Sequence, residues 1–498
     1  MGYMNEFPHT RTFDSDLREI IDLYLTLKNL PKDFETLQKN FDDLKLFVTN
    51  YFNDLDVQNE INQKLDEMLA DGSLLTLFSS CIINIKQFGA KGDRVTDDTT
   101  AINNAIVEHN KTGVPIYIPK GNYIINGLLT PITTDGEIFG TGTLEGSGST
   151  GYMLTLKAKV KLSGIRIETS GYQGAILLDS TRQACVDYCT IISDSYGILI
   201  NNSSQAMITN NYIVDCTDCI VITSENVDTG DNFFTGNTFD TTDGTNKNVL
   251  LFKSGGGIRF INNKVLTYDY GININSTGDT SVLVIDGNSM ENGKFALTTR
   301  NTGNFGRIIF SNNQLTGYSL SINDNSYEVE IIGNIITGIQ TENSIAVAIS
   351  NSDGNISIEA NIIKDFRFSV YNYTYTTNLR VANNNCNEFC RRAVLNNNAI
   401  IDEIYDRIVQ TTGTGFNLGV IKPNVNGSCI AEITLNGATN KYAIVRVINT
   451  GGTISLTKIY SDLNVTCTET GVFVINESEV GETYVNTVIR GSVESLEL

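Results

Sequence analysis

The 498-residue chain has no tryptophan, only two histidines, and 35 Lys plus Arg against 56 Asp plus Glu, a net charge of −21. That balance argues against an electrostatic grip on nucleic acid. Long apolar runs are missing as well. Cys81-Ile82-Ile83 and Ala443-Ile444-Val445 are examples, and even the five-residue Ile345-Ala346-Val347-Ala348-Ile349 is far short of the roughly 20 residues of a membrane-spanning helix, so no membrane insertion is expected. The N-terminus, MGYMNEFPHTRTFDSD, turns acidic at once and lacks the apolar stretch of a secretory signal, which predicts synthesis in a cytoplasm. Nine scattered cysteines favour reduced, buried thiols over a disulfide framework. Cys185-x3-Cys189 followed by Cys216-x2-Cys219 has the make-up of a four-thiolate zinc site. Small apolar fillers in successive layers of a repeat are the stronger reading of those four, so no metal is assigned to them.

What is present divides into regions. Within residues 1–80, apolar residues fall at Leu30, Phe34, Leu37, Phe41, Leu44, Val48, Tyr51 and Leu55, in steps alternating between 4 and 3. Such a heptad seam predicts a left-handed coiled coil. A second seam, Val57, Ile61, Leu65 and Met68, follows out of phase. The alternatives are a self-associating stalk, with bulky aromatic seam residues favouring a homotrimer, and a helical hairpin packed on its own chain.

Residues 81–136 change character. Asp97 or Asp98 is placed to cap a helix that puts Ala101, Ile102, Ala105 and Ile106 on one face, with Gly113 as a left-handed stop and a strand from Val114 to Ile118. The motif residues are Phe88-Gly89-Ala90, Gly92-Asp93, Thr96-Asp97-Asp98-Thr99, Ala101-Ile102, Ala105-Ile106, Pro119-x-Gly121 and Tyr123. This segment resembles the opening segment of the pectate-lyase superfamily, found in bacteriophage tail spikes and related glycan-active β-helix proteins. Arg94 stands where that family usually has glycine. The resemblance implies a cap closing the end of a solenoid, so Asp93, Asp97 and Asp98 read as turn and capping residues.

From residue 137 to 404 the chain repeats an Asn followed two positions later by an apolar residue: Asn211/Ile213, Asn237/Phe239, Asn263/Val265, Asn288/Met290, Asn313/Leu315, Asn334/Ile336, Asn361/Ile363 and Asn384/Cys386, at intervals of 21 to 27. Gly142/Leu144, Ile165/Ile167 and Cys189/Ile191 keep the phase earlier. One solenoid coil per repeat follows, and by resemblance the fold is a mainly β, right-handed, single-stranded parallel β-helix. The asparagines are expected to form a structural ladder, their amides tolerating left-handed turns while bonding to the coil above. Residues 405–498 lose the Asn phase; alternating strands such as Ala431–Leu435, Tyr442–Val447, Gly471–Ile475 and Val485–Ile489 predict a C-terminal β-sandwich-like domain for trimerisation or glycan binding.

Stalk, capped helix and terminal β-domain together resemble a phage tail spike or receptor-binding protein. That resemblance implies a virion protein attached to the tail or baseplate through residues 1–80, with a host surface polysaccharide as partner. His9 and His109 lie outside the repeats, so a histidine-assisted polygalacturonase-type site is not expected; no Asn-Thr-Asp or Arg-x-Pro-x-x-Arg run supports the family's pectin hydrolase or calcium pectate lyase. Without tryptophan, sugar stacking falls to tyrosine and phenylalanine.

Carboxylates remain, and two suffice for glycoside hydrolysis. Three positions past the ladder lie Glu145, Glu168, Asp240 and Glu291; one further lie Asp215 and Asp365. At roughly 4.8 Å per coil, Asp215 and Asp240 would stand near retaining-enzyme spacing, and Asp240 and Glu291 near the top of the inverting range. Asp240, Glu291 and Asp215 are the catalytic candidates, with Asp243, Asp269 and Glu168 as alternates. A second expected column, Asp194, Asp218, Asp243 and Asp269, would need a shifted pKa or a cation such as calcium to relieve like-charge repulsion, or else consists of solvated turn residues. No cofactor is assigned. Phe366, Phe368, Tyr371, Tyr373 and Tyr375, near Arg367 and Arg380, offer sugar stacking, with Tyr371, Tyr373, Arg367 and Arg380 the substrate-binding candidates; an aromatic lid at the helix end is the competing reading. The functional expectation is a polysaccharide depolymerase, most simply a glycoside hydrolase; the alternatives are a non-catalytic glycan-binding adhesin or a polysaccharide lyase.

Overall fold

The computed structural model describes residues 39, 42–46, 64, 66–68 and 81–497, apart from 149, 225–229, 242, 244, 276–279, 301–304, 324–327, 340–343, 351–353, 374–377, 387–391, 413–415, 425, 437–440 and 476–479. Its body is a parallel β-solenoid of about 11 turns. From Tyr152 to Lys364 each coil contributes one strand to each of three sheets, here A, B and C. One coil reads Met207–Thr209 in A, Tyr212–Val214 in B and Asp218–Thr223 in C. Each strand pairs in parallel with its counterparts one coil below and above, as Ile213 does with Ile191 and Phe239. The short strands alternate inward and outward, and the inward residues, among them Ile208, Ile213, Ile220 and Ile222, are buried against the next coil's equivalents. No coil covers its own inner face, so stacking supplies the apolar burial that holds the fold.

The Asn ladder sits at the turn between sheets A and B. The Asn237 amide Nδ2 donates to Ile208 O at 2.7 Å in the coil below and to Asn263 Oδ1 at 3.0 Å in the coil above. The left-handed positions are the residues just before the ladder asparagines, for example Asn210, Gly236, Asn262 and Gly287. The ladder side chains therefore satisfy the turn's buried polar groups, while the left-handed geometry expected of them belongs to their neighbours.

The cap matches its sequence pattern with one difference. The helix Thr99–Thr112 ends at Gly113, φ 72°, whose N–H returns to His109 O. Asp98 occupies the N-cap position, but its carboxylate accepts from Lys91 N at 2.6 Å and Gly92 N at 3.0 Å, pinning the preceding turn. Asp97 instead accepts from Thr99 N at 3.0 Å. His109 is buried, with Nδ1 2.7 Å from Val114 O and Nε2 3.2 Å from Thr134 O, a structural role.

At the other end, strand Arg392–Thr412 begins parallel to Phe368–Asn372 and continues antiparallel to Val480–Glu497, running through position 404 without a break. Val480–Glu497 also pairs with Ser428–Asn436, which pairs with Lys441–Thr450 and that in turn with Thr453–Ser461, all antiparallel. Phe416–Pro423 and Val465–Cys467 flank Val472–Ile475. Ile433, Val445, Leu418, Phe473 and Ile475 are buried in the core of these antiparallel sheets.

Of the N-terminal seams, only Leu44 and Met68 fall within the described residues, both in helix. Lys45 and Asp66 form an ion pair at 3.8 Å; the other seam residues, and with them the choice between stalk and hairpin, lie outside the described residues.

Candidate functional site

Sheet B presents the first set of carboxylates. Its outward row runs Glu145 opposite Glu168, Glu168 opposite Ile192, Ile192 opposite Val214, and Val214 opposite Asp240. Val265 lies opposite Phe239, and Leu266, the next residue, lies opposite Glu291. Asp240 and Glu291 thus share a row two rungs apart, roughly 10 Å along the axis. Glu145 and Glu168 are occupied by Arg94, at 3.2 Å, and Arg166 respectively.

Asp215 and Asp240 are brought together through Thr241. The Thr241 N–H donates to Asp240 Oδ1 at 2.8 Å and its hydroxyl to Asp215 Oδ1 at 3.2 Å. Tyr212 donates its hydroxyl to Asp240 Oδ2 at 3.3 Å, and burial followed by the Asp240 charge raises the Tyr212 pKa. Lys247 Nζ lies 3.1 Å from Thr241 Oγ1. Asp215 itself is left-handed, φ 59°, at the turn between B and C, and its N–H donates to Asp240 O at 3.0 Å. A buried tyrosine completes the support: Tyr268 donates to Asp240 O at 2.8 Å, and Tyr318 donates to Tyr268 O at 2.5 Å.

The expected second column does not form. Asp218 lies opposite Tyr196 and Asn248 rather than opposite other carboxylates. Asp194 accepts from Gly171 N at 2.9 Å, Asp243 from Thr245 N at 3.0 Å, and Asp269 from Asn246 N at 2.7 Å and Lys294 Nζ at 2.8 Å. The Thr245 backbone N–H lowers the Asp243 pKa. The reason is loop length: intervals of 21 to 27 residues move each aspartate to a different point of its turn.

Asp218 is the exception, and it exposes a row that the spacing did not reveal. Across sheet C, Tyr152 lies opposite Gly174, Gly174 opposite Tyr196, Tyr196 opposite Asp218, Asp218 opposite Asn248, Asn248 opposite Tyr270, and Tyr270 opposite Phe295. Asp218 is 6% exposed and accepts from Asn248 Nδ2 at 2.7 Å. Burial raises its pKa, against the opposing pull of Asn248 and the Lys253 charge. Lys253 Nζ stands 5.9 Å from the Tyr196 ring centre. Tyr270 and Phe295 stack at 5.9 Å and 20°. The Tyr152 hydroxyl is buried and, among the described residues, has no hydrogen-bond partner. The signal available in sequence was weak: an aromatic residue or aspartate at the start of five of these seven strands.

The last coils divide the predicted substrate-binding group. Phe368 and Tyr371 meet edge-on at 5.1 Å, Tyr371 and Tyr373 at 4.4 Å, and Arg367 sits 5.5 Å from the Phe368 ring. Tyr373 is exposed and Phe366 buried; Tyr375 lies outside the described residues. Arg380 does not join them. It lies on sheet A, opposite Ser357, and pairs with Glu359 at 2.7 Å. Of the zinc-like cysteines, Cys189, Cys216 and Cys219 are core residues, and burial pushes the Cys189 thiol up to about 12. Among the described residues no group of three or more His, Cys, Asp or Glu is placed to hold a metal ion.

A family model described as rhamnogalacturonase A/epimerase, pectate lyase-like, matches residues 82–388. The chain belongs to that family. Among curated proteins it is similar to alginate lyase 7 of Azotobacter vinelandii, 51% identical over 45 residues, or 9% of this chain and 5% of that one. It is also similar to a glucan 1,3-beta-glucosidase of Cochliobolus carbonum, 41% identical over 54 residues, or 9% and 7% of the two chains. The chain spans only 5% to 7% of the length of the curated relatives it matches. Among solved structures it is similar to the tailspike gp49 of Acinetobacter baumannii bacteriophage Fri1, a capsular polysaccharide depolymerase, at 12% identity and a TM-score of 0.40, over 84% of this chain and 88% of that one.

Proposed function

We propose that this protein is a phage tail spike that binds and depolymerises a host surface polysaccharide by carboxylate-based glycoside hydrolysis. It would act as a homotrimer in the virion, attached to the tail or baseplate through residues 1–80. The observation that carries the hydrolytic reading is the shared outward row of Asp240 and Glu291, two rungs apart. At roughly 10 Å along the axis, that separation leaves room for a water between the carboxyl groups and sits at the upper end of the inverting geometry. In this scheme Asp240, oriented by Tyr212 and Thr241, takes a proton from water as the water attacks the anomeric carbon. Glu291 protonates the departing glycosidic oxygen, so the sugar–oxygen bond breaks with the proton balance closed. Asp215 holds Thr241 in place.

A second assignment of the same activity is favoured by one feature of sheet C. Asp218 has the raised pKa a general acid needs, among tyrosines that offer faces to sugar rings. Asp269 follows two rungs on, adjacent to Tyr270, and would serve as base. Tyr371, Tyr373 and Arg367 would extend either groove toward the end of the helix.

The test is incubation of the purified full chain with capsular and wall glycans of candidate hosts, following new reducing ends and the ultraviolet absorbance of unsaturated uronates. Reducing ends without absorbance are expected. Absorbance would replace hydrolysis with elimination, and binding without cleavage would make the protein an adhesin.

A further inference from the structure

The antiparallel sheet at the C-terminus has an outer face that the depolymerase reading does not use. Its inner residues, Ala431, Ile433, Ala443, Val445 and Ile489, are buried. Alternation sends the intervening residues outward, and the register sets them side by side. Ile430 lies opposite both Arg446 and Arg490, Glu432 opposite Ile444, and Ile444 opposite Tyr460. Tyr460 is 56% and Ile430 38% exposed.

These residues form an organised patch. Glu432 uses one carboxylate oxygen to pair with Arg490 and the other to accept from the Tyr442 hydroxyl at 3.1 Å. That fixes the Tyr442 ring, which meets Tyr460 at 6.0 Å and 42°. Arg446 donates to the Ser428 hydroxyl at 3.2 Å and, among the described residues, makes no ion pair. A guanidinium has five N–H donors, so a neutral hydroxyl leaves most of them, and the charge, unmet.

We propose that this face, centred on Tyr442, Tyr460 and Arg446, is a second carbohydrate-binding site, specific for a sugar unit bearing a carboxylate. The tilted tyrosine pair offers apolar faces to the C–H side of a sugar ring. Arg446, two positions along the strand from Ile444, the residue opposite Tyr460, matches a carboxylate with two parallel N–H donors. A cationic patch on a chain of net charge −21 selects an anionic unit over a neutral one. The proposal draws on the polysaccharide reading above only for the class of polymer; binding here needs no cleavage.

The experiment uses the full chain, with polygalacturonate as the anionic polymer and dextran as the neutral one, and titrates binding at low and high salt. Polygalacturonate binding that weakens with salt, with no dextran binding, is expected. Tyr460→Ala and Arg446→Ala are each expected to raise the Kd roughly tenfold, the loss of one charge-assisted or stacking contact. Arg446→Lys should restore part of the affinity. Both positions are exposed, and an unchanged thermal transition checks folding. Asp240→Asn should leave this binding intact even where it abolishes cleavage, so failure of the catalytic assignment and failure of this site are separable. Absence of polygalacturonate binding, equal binding of dextran, or binding indifferent to Tyr460→Ala and Arg446→Ala would overturn the proposal.

Discussion

The side-chain oxygen of Asn263 accepts two hydrogen bonds from Asn237, one from its backbone N–H and one from its amide, both at 3.0 Å. Asn263 in turn donates to Phe234 O at 2.9 Å and to Asn288 Oδ1 at 3.1 Å. Every group involved is buried, so Asn263→Ala strands several at once. Unsatisfied buried polar groups cost roughly 1–3 kcal/mol each, and partial relaxation reduces the sum. A loss of about 3–5 kcal/mol is expected, read as faster unfolding in denaturant. A change under about 1 kcal/mol would mean the turn finds other partners.

Asp218 gives the fold a pH dependence of definite sign. Its folded pKa is raised by burial above the ordinary 3.8, so the folded state holds its proton more tightly than the unfolded chain. Its contribution to stability is full below pH 3.8 and is lost as pH rises through the folded value. Asn at this position keeps an acceptor for Asn248 Nδ2 and removes the titration. The stability of Asp218→Asn relative to the parent should therefore rise as pH increases from below 3.8 toward neutrality, measured by denaturant titration at a series of pH values. A parallel pair of pH curves would refute the burial argument.

The solenoid was legible because its constraint is periodic. One asparagine per coil must satisfy the same turn, so Asn211 to Asn384 mark the phase whatever the loop lengths do. The outward row of sheet B was legible for the same reason: Asp240 and Glu291 are counted from ladder residues only three positions away, with no loop between. Counting failed beyond the next turn. Asp194, Asp218, Asp243 and Asp269 follow that turn at varying distances, and the predicted column dissolved into three turn acceptors and one buried carboxylate. Arg380 was misplaced beside the tyrosines because nearness in sequence, in a coil, leads to a different sheet.

Gly293 should tolerate no side chain. A Cβ there would stand 2.1 Å from Tyr268 O and 2.1 Å from the Tyr318 ring, the two residues that carry hydrogen bonding up to Asp240. Gly293→Ala must displace buried backbone or a buried ring, an overpacking cost of about 1–3 kcal/mol or more. The expected result is a lower thermal transition, together with a fall in glycan cleavage larger than the stability loss explains, measured well below the transition. A variant of parental stability would show that the Tyr268–Tyr318 pair yields easily.

The two carboxylate assignments predict different patterns in one set of variants. If Asp240 and Glu291 carry the reaction, Asp240→Asn and Glu291→Gln each lower the rate of reducing-end release by roughly 10²–10⁴-fold, the usual range for a lost general acid or base. Asp218→Asn and Asp269→Asn then have small effects, confined to KM because they line a face without touching the reacting bond. If sheet C carries it, the pattern reverses, and Asp218→Asn also removes the alkaline limb of the pH–rate profile, the limb on which a general acid loses its proton. Tyr212→Phe separates the cases again: it removes a donor to Asp240 and leaves sheet C untouched, so it slows turnover only under the first assignment. Four carboxylate variants that all retain parental turnover would place the chemistry elsewhere, and four that retain binding on a protein without turnover would identify an adhesin.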